Sequence, residues 1–373
     1  MNIQDIKFSR DRGQKEFSLA LRKRVNDYFK TTGRSRFADT PMVVKTIVLL
    51  AIFGGIYASI IGGWVSSPWL MIGLWTLLGI VTAGIGFSVM HDANHGAYSR
   101  NKYVNAVLGY VINFIGGFSI NWKIQHNTLH HSFTNVHGAD EDIDAGKLLR
   151  FSPEQEHYWF HRFQHIYAWF LYSLMTHMWI TTKDFKQLIR YRDNGLLEQH
   201  EISFGRALSE LLFIKVLYYG YLLVIPIVFS PVSWWVTLIG FAIMHFALGF
   251  LLACVFQTAH VMESSLFPGT DGEGELQHNW AVHQLMTTTN YAPNNRILSW
   301  FVGGLNYQVE HHLFPNICHT HYRRISQIVK ETAEEYNLPY HTLPSFRSAL
   351  RIHWRMLRQL GSGGELSPIP IKG

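Results

Sequence analysis

Cysteine is nearly absent from this 373-residue chain: Cys254 and Cys318 are the two present, far apart in sequence. That excludes a disulfide framework, and the lack of any CxxC pair excludes a thiolate zinc or iron-sulfur site. So little cysteine also suits a catalytic side facing a reducing compartment. Charge is scarce too, with 16% charged residues against 48% hydrophobic and 14% aromatic, where a soluble protein carries about 25% charged. The first forty residues hold no apolar core of the kind a signal peptide needs and read as a basic cytosolic arm, residues 1–41. HDANH, residues 91–95, lacks the glutamate that HExxH metalloproteases use as general base, which weakens a protease reading. Nothing in the pattern calls for a nucleic acid.

What the chain has in quantity is long apolar runs and histidine. Residues 42–63, 69–90, 211–229 and 234–257 each meet the roughly 20-residue requirement for a helix crossing a ~30 Å hydrocarbon core. The corners between them, 64–68 and 230–233, carry no charge, whereas the amino-terminal arm and the segments after residue 90 and before residue 211 are rich in Lys and Arg. The expectation is an all-α membrane protein of four transmembrane helices in two hairpins, with both termini and both long segments cytoplasmic. Trp64, Trp69, Trp234 and Trp235 would then form an aromatic belt at the corners. Two further apolar stretches, 104–120 and 158–180, tempt a count of six spans. If the histidine groups build one site, however, the chain between His95 and His126 cannot cross once, so the first stretch enters and returns or lies in the interface. In the second, His157, His161 and His165 form one helical face, read as the polar stripe of an interfacial helix.

Seven of the 21 histidines gather in three clusters: HDANH, HNTLHH at 126–131 and QVEHH at 308–312. His91 and His95 stand at i and i+4, as do His126 and His130, so each pair stacks on one helix face. On an α-helix His131 would point about 100° further round, toward a neighbouring ion. Gln308 faces His311 and His312 at i+3 and i+4 and offers an amide oxygen. At 1.5 Å per residue, His91 lies roughly 33 Å from Trp69 and His260 roughly 39 Å from Trp234, so both emerge just past the hydrocarbon core on one side. His260 is thus the leading additional ligand, followed by His278 and His283, while His245 falls near mid-bilayer as an imidazole bonded between helices. Seven cluster histidines exceed what one zinc takes, so two ions fit better; imidazole suits zinc, copper, iron or nickel, which leaves the element open. Asp92, Glu310, Asp140 and Asp144 are candidate outer-shell partners, and the run DEDID at 140–144 reads equally as a solvated loop.

HDANH, HNTLHH and QVEHHLFP resemble the three histidine boxes of the membrane fatty acid desaturases, and the Gln opening the third box resembles the front-end branch and its bacterial acyl-desaturase relatives. The likeness extends to FSRDRGQ, WAVHQLMTTTNYA and GGLNYQVEHHLFPNICHTHY. It implies two non-haem irons bound by His91, His95, His126, His130, His131, His311 and His312, with His260 similar to the superfamily's extra ligand; Gln308 stands where other branches have His. The implied reaction activates dioxygen and removes two vicinal hydrogens from an acyl chain, leaving a cis double bond and water.

The chain departs from many front-end members in having no His-Pro-Gly-Gly haem motif, so the resemblance implies a separate electron donor of ferredoxin or cytochrome b5 type. The formal charge of +6 would attract an acidic donor, although cytoplasmic Lys and Arg of any membrane protein would produce the same excess. Residues 345–360 place Arg347, Arg351, Arg355 and Arg358 on one helical face and Phe346, Leu350, Trp354 and Leu357 on another. Such a helix would lie on an anionic membrane surface, with docking of the donor as the alternative. The expected division is the arm, a membrane desaturase domain over 42–360 and a flexible tail over 361–373. The competing activities are a related di-iron hydroxylase or ketolase and, from another class, a membrane b-type cytochrome or metal carrier.

Overall fold

A computed structural model describes residues 6–270 and 274–364, so most of the tail expected over 361–373 lies outside the described residues. The fold is mostly helical. Among the described residues four helices are long and apolar enough to cross a membrane: Thr40–Ile61, Pro68–Asn94, Phe204–Phe229 and Trp234–His260. Three of them outrun the apolar stretches that announced them. Backbone hydrogen bonding continues past the apolar residues until a cap stops it, and here the third span starts at Ser203, whose side chain accepts from the Arg206 N–H. The second span accordingly carries His91 and the fourth ends on His260. The extra stretch forms Lys102–Phe114 and Ser119–His130, bent by 111°, so it does not run as one straight crossing. Gly116 at the bend has φ of +101°, and a Cβ there would meet Ile180 at 2.7 Å, which only glycine avoids.

The chain divides into two compact units, residues 40–124 with 169–253, and residues 1–39, 125–168 and 254–373. In the first, spans two and four pack through glycine: a Cβ on Gly79 would lie 2.4 Å from the Met244 carbonyl oxygen, and one on Gly240 2.2 Å from Trp75. Small residues let helix backbones approach this closely, which is how helices associate in lipid. Lys215 on the third span is buried and donates to Asp184 at 2.6 Å and to the carbonyls of Gly116 at 2.9 Å and Trp179 at 3.3 Å. His245 is buried and bonded between helices, with Nε2 2.7 Å from the Tyr218 hydroxyl and Nδ1 3.1 Å from Thr176 Oγ1. Trp64, Trp69, Trp234 and Trp235 are all exposed at the two corners.

In the second unit the amino-terminal segment forms the helix Arg12–Thr32, capped by Asp11 and closed by a left-handed Gly33. Its stripe of Phe17, Leu21 and Val25 packs into one core with Leu285, Val309, Ile325 and Val329. Two short parallel pairings tie distant segments together, Lys7–Phe8 with Glu275–Leu276 and Asn290–Tyr291 with Thr342–Leu343. The helix Phe346–Gly361 turns Ala349, His353, Met356, Leu357 and Leu360 inward. Of the apolar face read from the sequence, Leu357 is buried while Phe346, Leu350 and Trp354 are half-buried.

Candidate metal centre

The first histidine box lies in the membrane-helix unit. A short π-helical turn, Gly86–Met90, precedes His91 and widens the helix just before the first histidine pair, a device common at functional sites. His91 and His95 sit edge to face at 4.7 Å between ring centroids, and both rings pack against Trp122 at 5.6 and 5.7 Å. Trp122 thus fixes the orientation of the pair. Asp92, also buried, follows His91 within this box.

The second box departs from the α-helical geometry expected of it. Lys123–His130 is a π-helix, and the His131 N–H bonds the His126 carbonyl five residues back at 3.0 Å. The wider turn brings His131 over His126, where five α-helical steps would put it about 140° away, leaving their Nε2 atoms 3.3 Å apart. The second unit then adds the third box and His260. His131 Nε2 lies 3.0 Å from His311 Nε2. The candidate ligand atoms of His130, His260 and His312 lie within 4.8 Å of one another, as do those of His131, His311 and His312 and those of His126, His130 and Asp142. Six of the eight expected ligands therefore converge within one unit, and His312 belongs to two of the groups.

Whether these rings suit a metal is decided by their other nitrogens. His130 Nδ1 donates to Asp140 at 3.0 Å, His312 Nδ1 to the Gln284 side-chain oxygen at 2.8 Å, and His260 Nδ1 to the Thr287 carbonyl at 3.4 Å. Each bond favours a proton on Nδ1, which frees Nε2 to offer its lone pair to a metal, the tautomer a metal ligand needs. The Nε2 atoms of His130, His260 and His312 are buried and have no hydrogen-bond partner. Buried polar atoms left unpaired are costly, and three of them in mutual reach fit a cation that they would share.

The outer residues divide clearly. Burial alone would raise the Asp140 carboxyl, but His130 and the backbone N–H groups of Asn135 and Asp142 hold it below the ordinary carboxylate range. Asp140 of the DEDID run thus accepts from His130 as a carboxylate, whereas Asp144 is exposed and accepts from the Gly146 N–H. Glu310 turns to Asn290 at 2.8 Å and Tyr340 at 2.9 Å, and burial pushes its carboxyl up to about 8. His283 donates from Nε2 to the Thr134 carbonyl at 2.9 Å and joins none of the ligand groups among the described residues. His278 bonds Gln14 at 3.2 Å, while His157 and His161 donate to the carbonyls of Gly361 and Lys147. Gln308 is fully buried with neither amide atom partnered.

Sequence reasoning missed Gln284, Tyr322 and Trp122. Gln284 accepts from both His312 and Thr134 and donates to the His131 carbonyl at 3.2 Å. Tyr322 places its hydroxyl 3.3 Å from His311 Nδ1. Neither residue lies inside a box, and the sole signal for Gln284 was its place beside His283 in WAVHQ.

Among the described residues the chain thus combines four helices long and apolar enough to cross a membrane with groups of histidines close enough to hold metal ions. The profile of the fatty acid desaturase family matches residues 67–344, and the chain belongs to that family. It is 37% identical over 366 residues to an sn-1 linoleoyl-lipid 6-desaturase of Synechocystis, covering 97% of this chain and 99% of that protein. A protein of the same name from Arthrospira platensis is 35% identical, with 95% of each chain covered. An acyl-lipid (8-3)-desaturase of Physcomitrium patens is 33% identical over 94% of this chain and 73% of its own length. The protein is an integral membrane fatty acyl desaturase.

Proposed function

We propose that this desaturase is a front-end enzyme acting on acyl chains carried by membrane lipid, with two irons held by His91, His95, His126, His130, His131, His260, His311 and His312. Three buried, Nδ1-protonated imidazoles with bare Nε2 atoms carry the metal assignment. Two ligand groups sharing His312 support two ions rather than one. His91 and His95 enter the set through the first box and their shared Trp122 wall, and Gln308 supplies a further amide oxygen from the third box. The front-end and lipid assignments rest on the names of the relatives and on the glutamine that opens QVEHH.

Bound iron supplies the reductive activation of dioxygen; the chain supplies position. Overall, R–CH2–CH2–R′, dioxygen, two electrons and two protons give R–CH=CH–R′ and two waters. Asp140, Gln284 and the Thr287 carbonyl hold the ligand rings in one tautomer and one orientation. Burial of His126, His130, His131, His260, His311 and His312, each at most 5% exposed, keeps bulk water from the centre. Regiochemistry follows from register, since a shift of one methylene puts different carbons beside a fixed oxidant. On the excess of Lys and Arg, the termini and the metal centre face the cytoplasm.

The test is lipid analysis of cells expressing the chain and fed defined fatty acids. A new cis double bond on the carboxyl side of an existing one is expected. A hydroxylated chain as main product would instead make the protein a hydroxylase.

A further inference from the structure

We propose that the outer face of the helix Phe346–Gly361 is the docking site for an acidic one-electron carrier protein, and that electrons pass from it through His353 and the Val261 carbonyl to His260; this rests on the desaturase reading above. Arg347, Arg351, Arg355 and Arg358 recur at spacings of four, four and three, so they line one face over about 16 Å. All four are exposed, and no Asp or Glu occurs between residues 346 and 361. A row of one sign raises the encounter rate with a partner of the other sign and sets its orientation.

The opposite side of the helix connects to the metal centre. His353 is fully buried and donates from Nδ1 to the Val261 carbonyl at 2.8 Å, and Val261 directly follows His260. Arg355 reaches Glu263, two residues further on, at 3.5 Å. Ala349 and Phe346 pack with Ala259 and Met262 on either side of the same segment. The helix is therefore clamped along the chain that flanks a ligand, with one hydrogen bond and one peptide between His353 and His260.

The inward side also argues for a protein partner over a lipid surface. A helix lying in a membrane interface sinks an apolar face into the acyl boundary; here Ala349, Met356, Leu357 and Leu360 are already buried in the protein. What remains exposed on this helix is the arginine row, beside the half-buried Phe346, Leu350 and Trp354, with Arg358 resting over Trp354 at 5.9 Å. Each docking would oxidise one carrier and deliver one electron toward His260, for the metal that the histidines would hold. Two dockings, with two protons from water, complete the balance written above.

The experiment uses the iron-loaded enzyme in phosphatidylcholine vesicles, with reduced [2Fe–2S] ferredoxin as probe and desaturation rate measured against ferredoxin concentration. In the double variants Arg347→Glu/Arg351→Glu and Arg351→Glu/Arg358→Glu, the KM for ferredoxin is expected to rise about tenfold with kcat little changed, and the salt dependence to flatten. Arg351→Lys/Arg358→Lys should keep the wild-type KM, as should the exposed Arg22→Glu on the amino-terminal helix. An unchanged KM in the glutamate variants overturns the docking site. If their activity instead changes with the vesicles' phosphatidylglycerol content, the row faces anionic lipid. His353→Phe should slow reduction of the centre at saturating ferredoxin while His353→Gln, which keeps a donor for Val261, should not; equal rates overturn the route. Failure of the desaturase reading is distinct, because the wild-type enzyme would then form no double bond at any ferredoxin concentration.

Discussion

At the scale of single residues, the site is a set of imidazoles whose useful nitrogen is selected by what the other one touches. Replacing His130 or His312 by Ala is expected to abolish desaturation and lower bound iron while leaving membrane insertion intact; full activity in either variant would contradict the ligand assignment. Gln284 acts one step removed. Its side-chain oxygen holds the His312 Nδ1 proton, so Gln284→Ala should cost about 10–100-fold in iron affinity or activity. Iron content per protein, measured alongside kcat, separates that effect from a packing defect. Gln284→Glu, which keeps the acceptor for His312, should retain more iron than the alanine variant.

At the scale of elements, two buried polar contacts report on the helices that carry them. Burial pushes His353 down to about 4, against the opposing bond to Val261. Its folded value thus lies below the unfolded value of about 6.5. Between those values the unfolded chain binds more protons, so the stabilisation is present above pH 6.5 and is lost as pH falls toward 4. The loss amounts to about 3 kcal/mol at most. Thermal unfolding of the purified protein between pH 7 and pH 4 should show a steeper decline in the wild type than in His353→Gln. Lys215 and Asp184 form a buried ion pair, and removing one partner strands the other charge. Lys215→Met alone should therefore destabilise by about 3–5 kcal/mol, and Lys215→Met/Asp184→Asn by less than the sum of the single changes.

At the scale of the whole molecule, assembly depends on close helix crossings that hydropathy does not report. Gly240→Val should drive a side chain into Trp75, and Gly79→Val into the backbone at Met244. Both are expected to reduce the yield of folded, detergent-extractable protein and to lower its thermal midpoint. An exposed site such as Gly54, with nothing within 4 Å of an added Cβ, should tolerate the same change. A wild-type yield for Gly240→Val would mean that the crossing of spans two and four does not limit folding.

The four spans and the candidate ligands were legible in the chain because both have local signatures. Twenty apolar residues must bury their backbone polar groups as helix whatever surrounds them, and histidines at i and i+4 share a face by helical geometry alone. Where the local rule changed, the reading changed with it: the π-turn through 123–130 moved His131 over His126, and a polar continuation of the fourth span carried its end to His260. The covered side of the Phe346–Gly361 helix, the Lys215–Asp184 pair and the partners Gln284, Tyr322 and Trp122 were decided by tertiary structure. Each depends on segments apart in sequence meeting, 11 residues for Tyr322 and His311 and 153 for Gln284 and His131, and no pattern within one segment records which surface will cover it. The sequence by itself determined which segments are membrane helices and which imidazoles are available for metal. Only packing decided which nitrogen of each ring is left bare, because that depends on a neighbour supplied from elsewhere in the chain.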